Sequence, residues 1–483
     1  MSVSFDTVIK NGNIVTPRST YLGHIGINNG KIATIQDYRT SIDGKEIINA
    51  QGLYVIPGIV DPEAHLGTHE DFAKNVATET KAAVASGVTT WGLMTAVTRM
   101  GVEFKDIKSA QDLPSYDKTF EIASKIINDK SFVDCFFTFF IMNEEHAREI
   151  PHYAKDYGVT SYKYYLHLKS PELYSDWIGQ KKLGFFGLDD GIIYLGMEQV
   201  AKIGYPGIIC LHCENWEISR LFRDKLRKKG RNDIAAWSDS SPDFCEAAHV
   251  KQYAYLAKIT GCPIYIQHVT TKKTIDEIRL ARWEGAKIIA QTGPHYLVLS
   301  KDDWKLNVPL RDNKEQDVLW HALREGEIDC IGSDHVNTGR RREELNVDGT
   351  VWSMVSGFSS RVEAALPVML SEGVNKGKIS ISRLVEVACE NTAIHLGLFP
   401  QKGAICIGAD ADIVLVDLKK EVKVTSDMLH TSAGWSIFEG QDFKGWPVLT
   451  MLGGNVVMKW EENKPYPTIF GTPKGKYIRR KIK

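Results

Sequence analysis

Along the first sixty residues apolar and polar positions largely alternate. DTVIKNGNIVTP and GHIGINNGKIATI carry this period-two pattern, punctuated by Asn11-Gly12 and Asn29-Gly30. Alternation predicts half-buried strands, and Asn-Gly predicts hairpin turns between them. KEIINAQGLYVIPG continues in the same style, so residues 1–55 are expected to form short antiparallel strands. From residue 56 to 400 the texture changes. Short apolar runs, VTTWGLM, SFVDCFFTFFI, SYKYYLHL, YPGIICLHC, CPIYIQHV, AKIIAQT and IDCIGSD, alternate with amphipathic stretches. The latter include ATETKAAVASG, stopping at Gly87, AHVKQYAYLAKITG and KKTIDEIRLARWEG. Strand–helix alternation over this length predicts a parallel sheet with right-handed crossovers, closed as a (β/α)8 TIM barrel.

Residues 401–460 return to strand and turn, in KGAICIGADADIVLVDL and WPVLTMLGGNVVMKW. The two ends of the chain are therefore expected to build one small β-sandwich beside the barrel. Residues 461–483 form a basic tail whose last ten, KGKYIRRKIK, carry six basic and no acidic residues. A solvated tail is the plain expectation, and an arm on a neighbouring subunit the alternative.

Catalytic groups of such barrels sit at the carboxyl ends of the strands. Here the apolar run ending at Val60 leads into Asp61, Glu63 and His65, with Glu63 and His65 on one face. Lys163 lies inside SYKYYLHL, His212 ends IICLH, His268 ends IYIQH, and Asp334-His335 follows CIGS. Each has a plain structural reading: a hydrogen-bonded core histidine, a snorkelling lysine, a helix cap. Together they are imidazoles and carboxylates of the kind that bind Zn, Mn or Fe. A lysine among them makes sense if CO2 has carboxylated it into a bridging anion. Cys210 and Cys213 form a C-x-x-C with no second pair to complete a thiolate site, so buried thiols are expected.

Nearly end to end, the chain resembles the amidohydrolase superfamily, in its dihydropyrimidinase, D-hydantoinase and allantoinase branch. The resemblance runs through VIPGIVDPEAHL, GVTSYKYYLHLK, CLHCEN, VPLRD, IGSDH, FEGQDFKGWPV and the long blocks from CPIYIQHV and LPVMLSEG. It implies a barrel plus a sandwich from both termini. It also implies a metal set of Glu63, His65, carboxylated Lys163, His212, His268 and Asp334, with Asp334 as general base. Four positions depart from the family. Glu63 stands where the first histidine of H-x-H is expected. Leu168 replaces a tyrosine that donates to the substrate oxyanion, with His167 beside it. Asn307 replaces a serine, and GFSSR at 357–361 replaces a substrate loop. His69, His167, His295, Asn307 and Arg361 are the substrate-binding candidates; Glu70, Arg311 and His335 stand behind them, with Arg311 assigned to barrel structure.

These departures predict a ring-opening hydrolase with an altered substrate shell, using one or two divalent ions, Mn or Zn. A cyclic amide is the first expectation. A cyclic 1,3-diketone opened by C–C hydrolysis, similar to manganese-dependent opening of dihydrophloroglucinol, is the alternative. A non-catalytic dihydropyrimidinase-related scaffold is a third. The formal charge of -1 over 483 residues gives no electrostatic case for nucleic acid or an anionic membrane. The eight scattered cysteines and the absence of a leader pattern predict a reduced, cytoplasmic protein. The family resemblance implies a homo-oligomer, dimer or tetramer.

Overall fold

The computed structural model describes residues 4–105, 107–166, 188–346, 348–354 and 361–483. The positions of His167, Leu168 and 357–360 lie outside the described residues. In chain order the strands are β1 (Phe5–Thr16), β2 (Ser19–Asn28), β3 (Lys31–Asp37), β4 (Gly44–Asn49) and β5 (Tyr54–Pro57). There follow β6 (Ile59–His65), β7 (Val88–Thr95), β8 (Asp134–Phe140), β9 (Ser161–Tyr165), β10 (Ile208–His212), β11 (Ile264–Ile266) and β12 (Ile288–Thr292). The last are β13 (Cys330–Ile331), β14 (His335–Val336), β15 (Ile413–Lys423), β16 (Asp442–Leu452), β17 (Asn455–Lys459) and β18 (Thr468–Ile469).

Strands β6 to β12 pair in parallel, each with the next. β13 pairs with β12, and β14 pairs with β6. β13 and β14 are thus two halves of one strand interrupted over 332–334, and the ring closes through the interruption. The architecture is a TIM-like barrel with a separate sheet domain. Its strands are apolar on both faces because helices cover the outside while side chains fill the inside; every residue of β7 is buried. The helix Phe72–Ala85 begins where Asp71 accepts from Lys74 N at 2.8 Å and ends before Gly87, whose φ of 86° no β-carbon hinders.

The second sheet runs β18-β17-β16-β15-β5-β1-β2-β3, with β4 on β1. β5 joins the chain ends, parallel to β1 and antiparallel to β15. Ile9, Ile14, Ile25, Val55, Ile413 and Met451 meet in one apolar cluster, so this single sheet curls around its own core. Asn29 and Gly30, with φ of 50° and 74°, make the expected tight turn between β2 and β3. Asn11-Gly12 does not turn the chain. β1 runs straight through it, and the register against β2 shifts between Ile9 and Gly12. A β-carbon on Gly12 would lie 2.3 Å from Val55 Cγ2, so the pair marks a bulge pressed on β5. The chain reverses at Pro17-Arg18, where Thr16 pairs with Ser19.

The basic tail is packed on the barrel through its backbone and Arg480, although Lys474, Lys476, Arg479, Lys481 and Lys483 stay exposed. Lys476 O accepts from Cys135 N at 2.8 Å, and Ile478 N donates to Cys135 O at 2.8 Å. Arg480 is buried at the foot of the barrel, donating to Ser161 Oγ at 3.0 Å and Phe137 O at 2.6 Å. A buried cation also ties the sheet to the barrel. Lys402 Nζ meets Asp412 at 2.7 Å, Asp410 at 3.0 Å, and Asp134 at the start of β8. The ammonium sits among the three carboxylates, which makes this triad an ion-pair knot and not a metal site. Lys402→Met is expected to lower unfolding stability by about 3 kcal/mol, because it strands buried carboxylates. Urea denaturation followed by circular dichroism checks this.

Candidate metal centre

Alternation along β6 turns Asp61, Glu63 and His65 to one side. All three are buried. Asp61 accepts from Glu63 N and Ser333 N, both at 3.1 Å, and so splices the end of β6 to the interruption between β13 and β14. Burial pushes its carboxyl up to about 6. The interruption presents Asp334 with φ 48°, and the segment just after β11 presents His268 with φ 39°. Left-handed backbone without glycine costs of order 1–3 kcal/mol and concentrates where function holds it. Lys163 points inward from β9 and His212 ends β10.

Glu63, His65 and Asp334 meet at the carboxyl end of the barrel, with Lys163 against Glu63 and His212 paired with His268 nearby. His65 Nε2 lies 3.1 Å from Asp334 Oδ1 and 3.7 Å from Glu63 Oε1. One ligand atom from each of Glu63, His65 and Asp334 lies within 4.8 Å of the others. The His212 and His268 rings sit 4.4 Å apart, nearly edge to face. Burial first, then His212, hold His268 down at about 3, and burial keeps His212 well below the ordinary range. Both imidazoles are therefore neutral, with lone pairs available. His268 Nδ1 is buried without a hydrogen-bond partner.

The carboxylates are anions despite burial. Burial, the largest influence, raises Glu63, but Lys163, His65 and His268 together outweigh it and the net shift is downward. Burial likewise raises Asp334, and Arg361 with His65 pulls it well below the carboxylate range. Glu63 Oε2 accepts from Gln291 Nε2 at 2.7 Å, and Lys163 Nζ lies 3.5 Å from Glu63 Oε1 while donating to Gln267 Oε1. Two anionic carboxylates come together with His65, and the neutral imidazoles of His212 and His268 lie nearby, one with an unpartnered buried nitrogen. That donor set fits a divalent cation.

A sequence profile described as the amidohydrolase family matches residues 241–457. The chain is 28% identical to a D-hydantoinase of Ralstonia pickettii over 493 residues, covering 99% of each chain. It is 27% identical to an allantoinase of Escherichia coli O139:H28, again over 99% of each. Among solved structures, dihydropyrimidinase from Brevibacillus agri superposes with a TM-score of 0.82 at 25% identity, 99% of each chain being covered. An L-hydantoinase from Arthrobacter aurescens superposes with a TM-score of 0.83 at 27% identity, covering 99% of this chain and all of the other.

Beside this centre stand some of the other sequence candidates. Arg361 Nη1 lies 3.1 Å from Asp334 Oδ2 and 3.3 Å from His295 Nε2. A guanidinium only donates, so His295 Nε2 accepts and Nδ1 carries the proton. The imidazole lies close over Gly293, where a β-carbon would come within 2.4 Å of it. Asn307 is buried with both amide atoms unpartnered, polar capacity left for a ligand. His69 is open to solvent on one side, on the loop after β6. Crowding by protein first, then Arg99 and Arg340, holds it at about 4.

The remaining candidates brace the fold. Glu70 accepts from Asn75 at 2.9 Å and Ser432 at 3.2 Å. His335 Nε2 is 2.9 Å from Glu79, and Arg311 donates to Thr270 Oγ1 at 3.1 Å and to Ser241 O. Cys210 and Cys213 are buried free thiols, with Cys210 pushed to about 12 by burial. Sequence reading passed over Gln267, Gln291 and Tyr165. Their signal was a polar atom inside an apolar strand run, IYIQ, IIAQ and KYY, at positions sharing a face with the site.

Proposed function

We propose that this protein is a metal-dependent hydrolase that opens a small ring by attack of water on a ring carbonyl, with a cyclic amide as substrate. The observation that carries this reading is the meeting of Glu63, His65 and Asp334 within 4.8 Å at the barrel mouth. The hydantoinase and allantoinase relatives support the same class of chemistry.

Glu63, His65 and Asp334 hold the ion, with His212 and His268 beside them. When bound, a divalent ion polarises the carbonyl and lowers the pKa of water from about 15.7 toward 7. That acidification is needed, because Asp334 next to Arg361 is a weak base. Asp334 takes the proton from the attacking water and passes it to the leaving nitrogen. The hydroxyl ends on the carbonyl carbon, and the C–N bond breaks. Glu63 supplies a hard anionic oxygen in place of a neutral nitrogen, which favours Mn over softer ions. One ion suffices while Lys163 stays an ammonium paired with Glu63; carboxylation of Lys163 would give a second ion a bridge. The reading extends to a homo-oligomer, dimer or tetramer.

One observation favours a second reading, C–C hydrolysis of a cyclic 1,3-diketone. Arg361 brings a buried cation to Asp334, and a carbanion leaving as an enolate is an anion that such a cation complements. The proton from Asp334 then goes to carbon.

A panel of hydantoin, dihydrouracil, allantoin and cyclohexane-1,3-diones, each with Mn and with Zn, tests both readings. Amide opening is the expected result. Opening of diones alone moves the assignment to C–C hydrolysis. No stoichiometric metal and no ring opened, after growth in ample Mn and Zn, would leave the scaffold reading.

A further inference from the structure

We propose that Tyr165 is a catalytic residue, its phenol donating a hydrogen bond to the oxygen that gains negative charge when the ring carbonyl is attacked. This rests on the hydrolase reading above. Tyr165 lies two residues beyond Lys163 on β9, so both side chains leave the strand on the same side. Its hydroxyl reaches 3.3 Å from His65 Nε2 and 3.4 Å from His65 Nδ1. It therefore lies against a candidate ion ligand at nearly equal distances from both ring nitrogens. Its ring stands 5.3 Å from that of His212. It touches both histidine groups of the centre.

Exposure separates Tyr165 from its neighbours. Every other residue of β9 is buried, whereas Tyr165 keeps contact with solvent. Tyr165 is thus a partly exposed aromatic beside buried candidate ion ligands. Phe140, edge to face at 5.0 Å, and Lys163, whose Nζ lies 4.5 Å from the ring centre, fix its orientation from behind.

If His65 holds an ion that polarises the carbonyl, the Tyr165 hydroxyl beside His65 would be the donor available to the carbonyl oxygen. Preorganised donors aimed at developing charge are worth more in the transition state than in the ground state. The neighbouring cations are otherwise engaged: Lys163 with Glu63 and Gln267, Arg361 with Asp334 and His295. The phenol transfers no proton. It gives one hydrogen bond, strengthening as negative charge collects on the oxygen and relaxing as the ring bond breaks.

The test is Tyr165→Phe, assayed on whichever ring the wild-type protein opens at saturating Mn. The expected result is a fall in kcat of about 100- to 1,000-fold, with KM changed far less and metal content and melting temperature held. A fluorotyrosine installed at 165, a more acidic donor of the same shape, should keep or raise kcat. A purely structural tyrosine would not follow donor strength in this way. Full kcat in Tyr165→Phe overturns this assignment alone. A wild-type protein that opens no ring overturns the hydrolase reading first. Loss of metal or of the folded melt in Tyr165→Phe, with no donor-strength trend in the fluorinated protein, also overturns it and makes Tyr165 structural.

Discussion

Replacing Asp334 with asparagine is expected to lower kcat for ring opening by about 10²- to 10⁴-fold, the usual contribution of a positioned general base. Asparagine keeps the shape and one acceptor oxygen, so Arg361 and His65 retain a partner. It cannot take a proton from water or return one to the leaving atom. Asp334 sits at φ 48° in the gap between β13 and β14, its carboxylate held between Arg361 and His65. Asparagine tolerates left-handed backbone nearly as well as aspartate does, so the local turn should survive. Rates at saturating Mn, compared with metal content by mass spectrometry, separate lost proton transfer from lost ion. A kcat within about tenfold of wild type, with the ion bound, would remove Asp334 from the role of base.

The same carboxylate shows what a sequence does and does not disclose. Asp334 could be read from CIGSDH because an apolar run ended in a carboxylate, and barrel strands deliver chemistry at such ends. Glu63, His65, His212 and His268 were legible for the same reason. Closure of the ring brings Glu63, His65 and Asp334 together, while His212 and His268 pair with each other. The Asp334–Arg361 pair was not legible, because the two are 27 residues apart and nothing periodic joins them. Gln267 and Gln291 looked like interruptions in apolar strands. Only the barrel interior makes one a partner of Lys163 and the other a partner of Glu63. Asn11-Gly12 misled for the opposite reason. The dipeptide favours a turn, but the contact of Gly12 with Val55 commits the chain to a bulge, and tertiary packing overrides local preference. The tail was misjudged because charge usually means solvent. Arg480 instead finds a backbone carbonyl and a serine hydroxyl at the barrel foot, which no composition reveals.

Glu63→Gln is expected to cost the protein both its ion and much of its stability without the ion. Glu63 and Lys163 have no exposed side-chain surface, and the ammonium lies 3.5 Å from the carboxylate. Removing one charge of a fully buried pair strands the other, at about 3–5 kcal/mol. The Gln267 oxygen remains on Lys163, but a neutral amide replaces only part of that interaction. Ion affinity should fall by at least about 100-fold, since disturbing even the partners of ion ligands costs 10- to 100-fold. Glu63→His makes the contrasting variant. It restores a nitrogen ligand and removes the same negative charge, so it should shift preference from Mn toward Zn. Denaturant melts of the ion-free proteins and metal titrations of both variants check the two halves separately. Wild-type affinity for Mn in Glu63→Gln would show that Glu63 holds Lys163 and not the ion. An unchanged melt would show that Lys163 is not an ammonium balanced by Glu63.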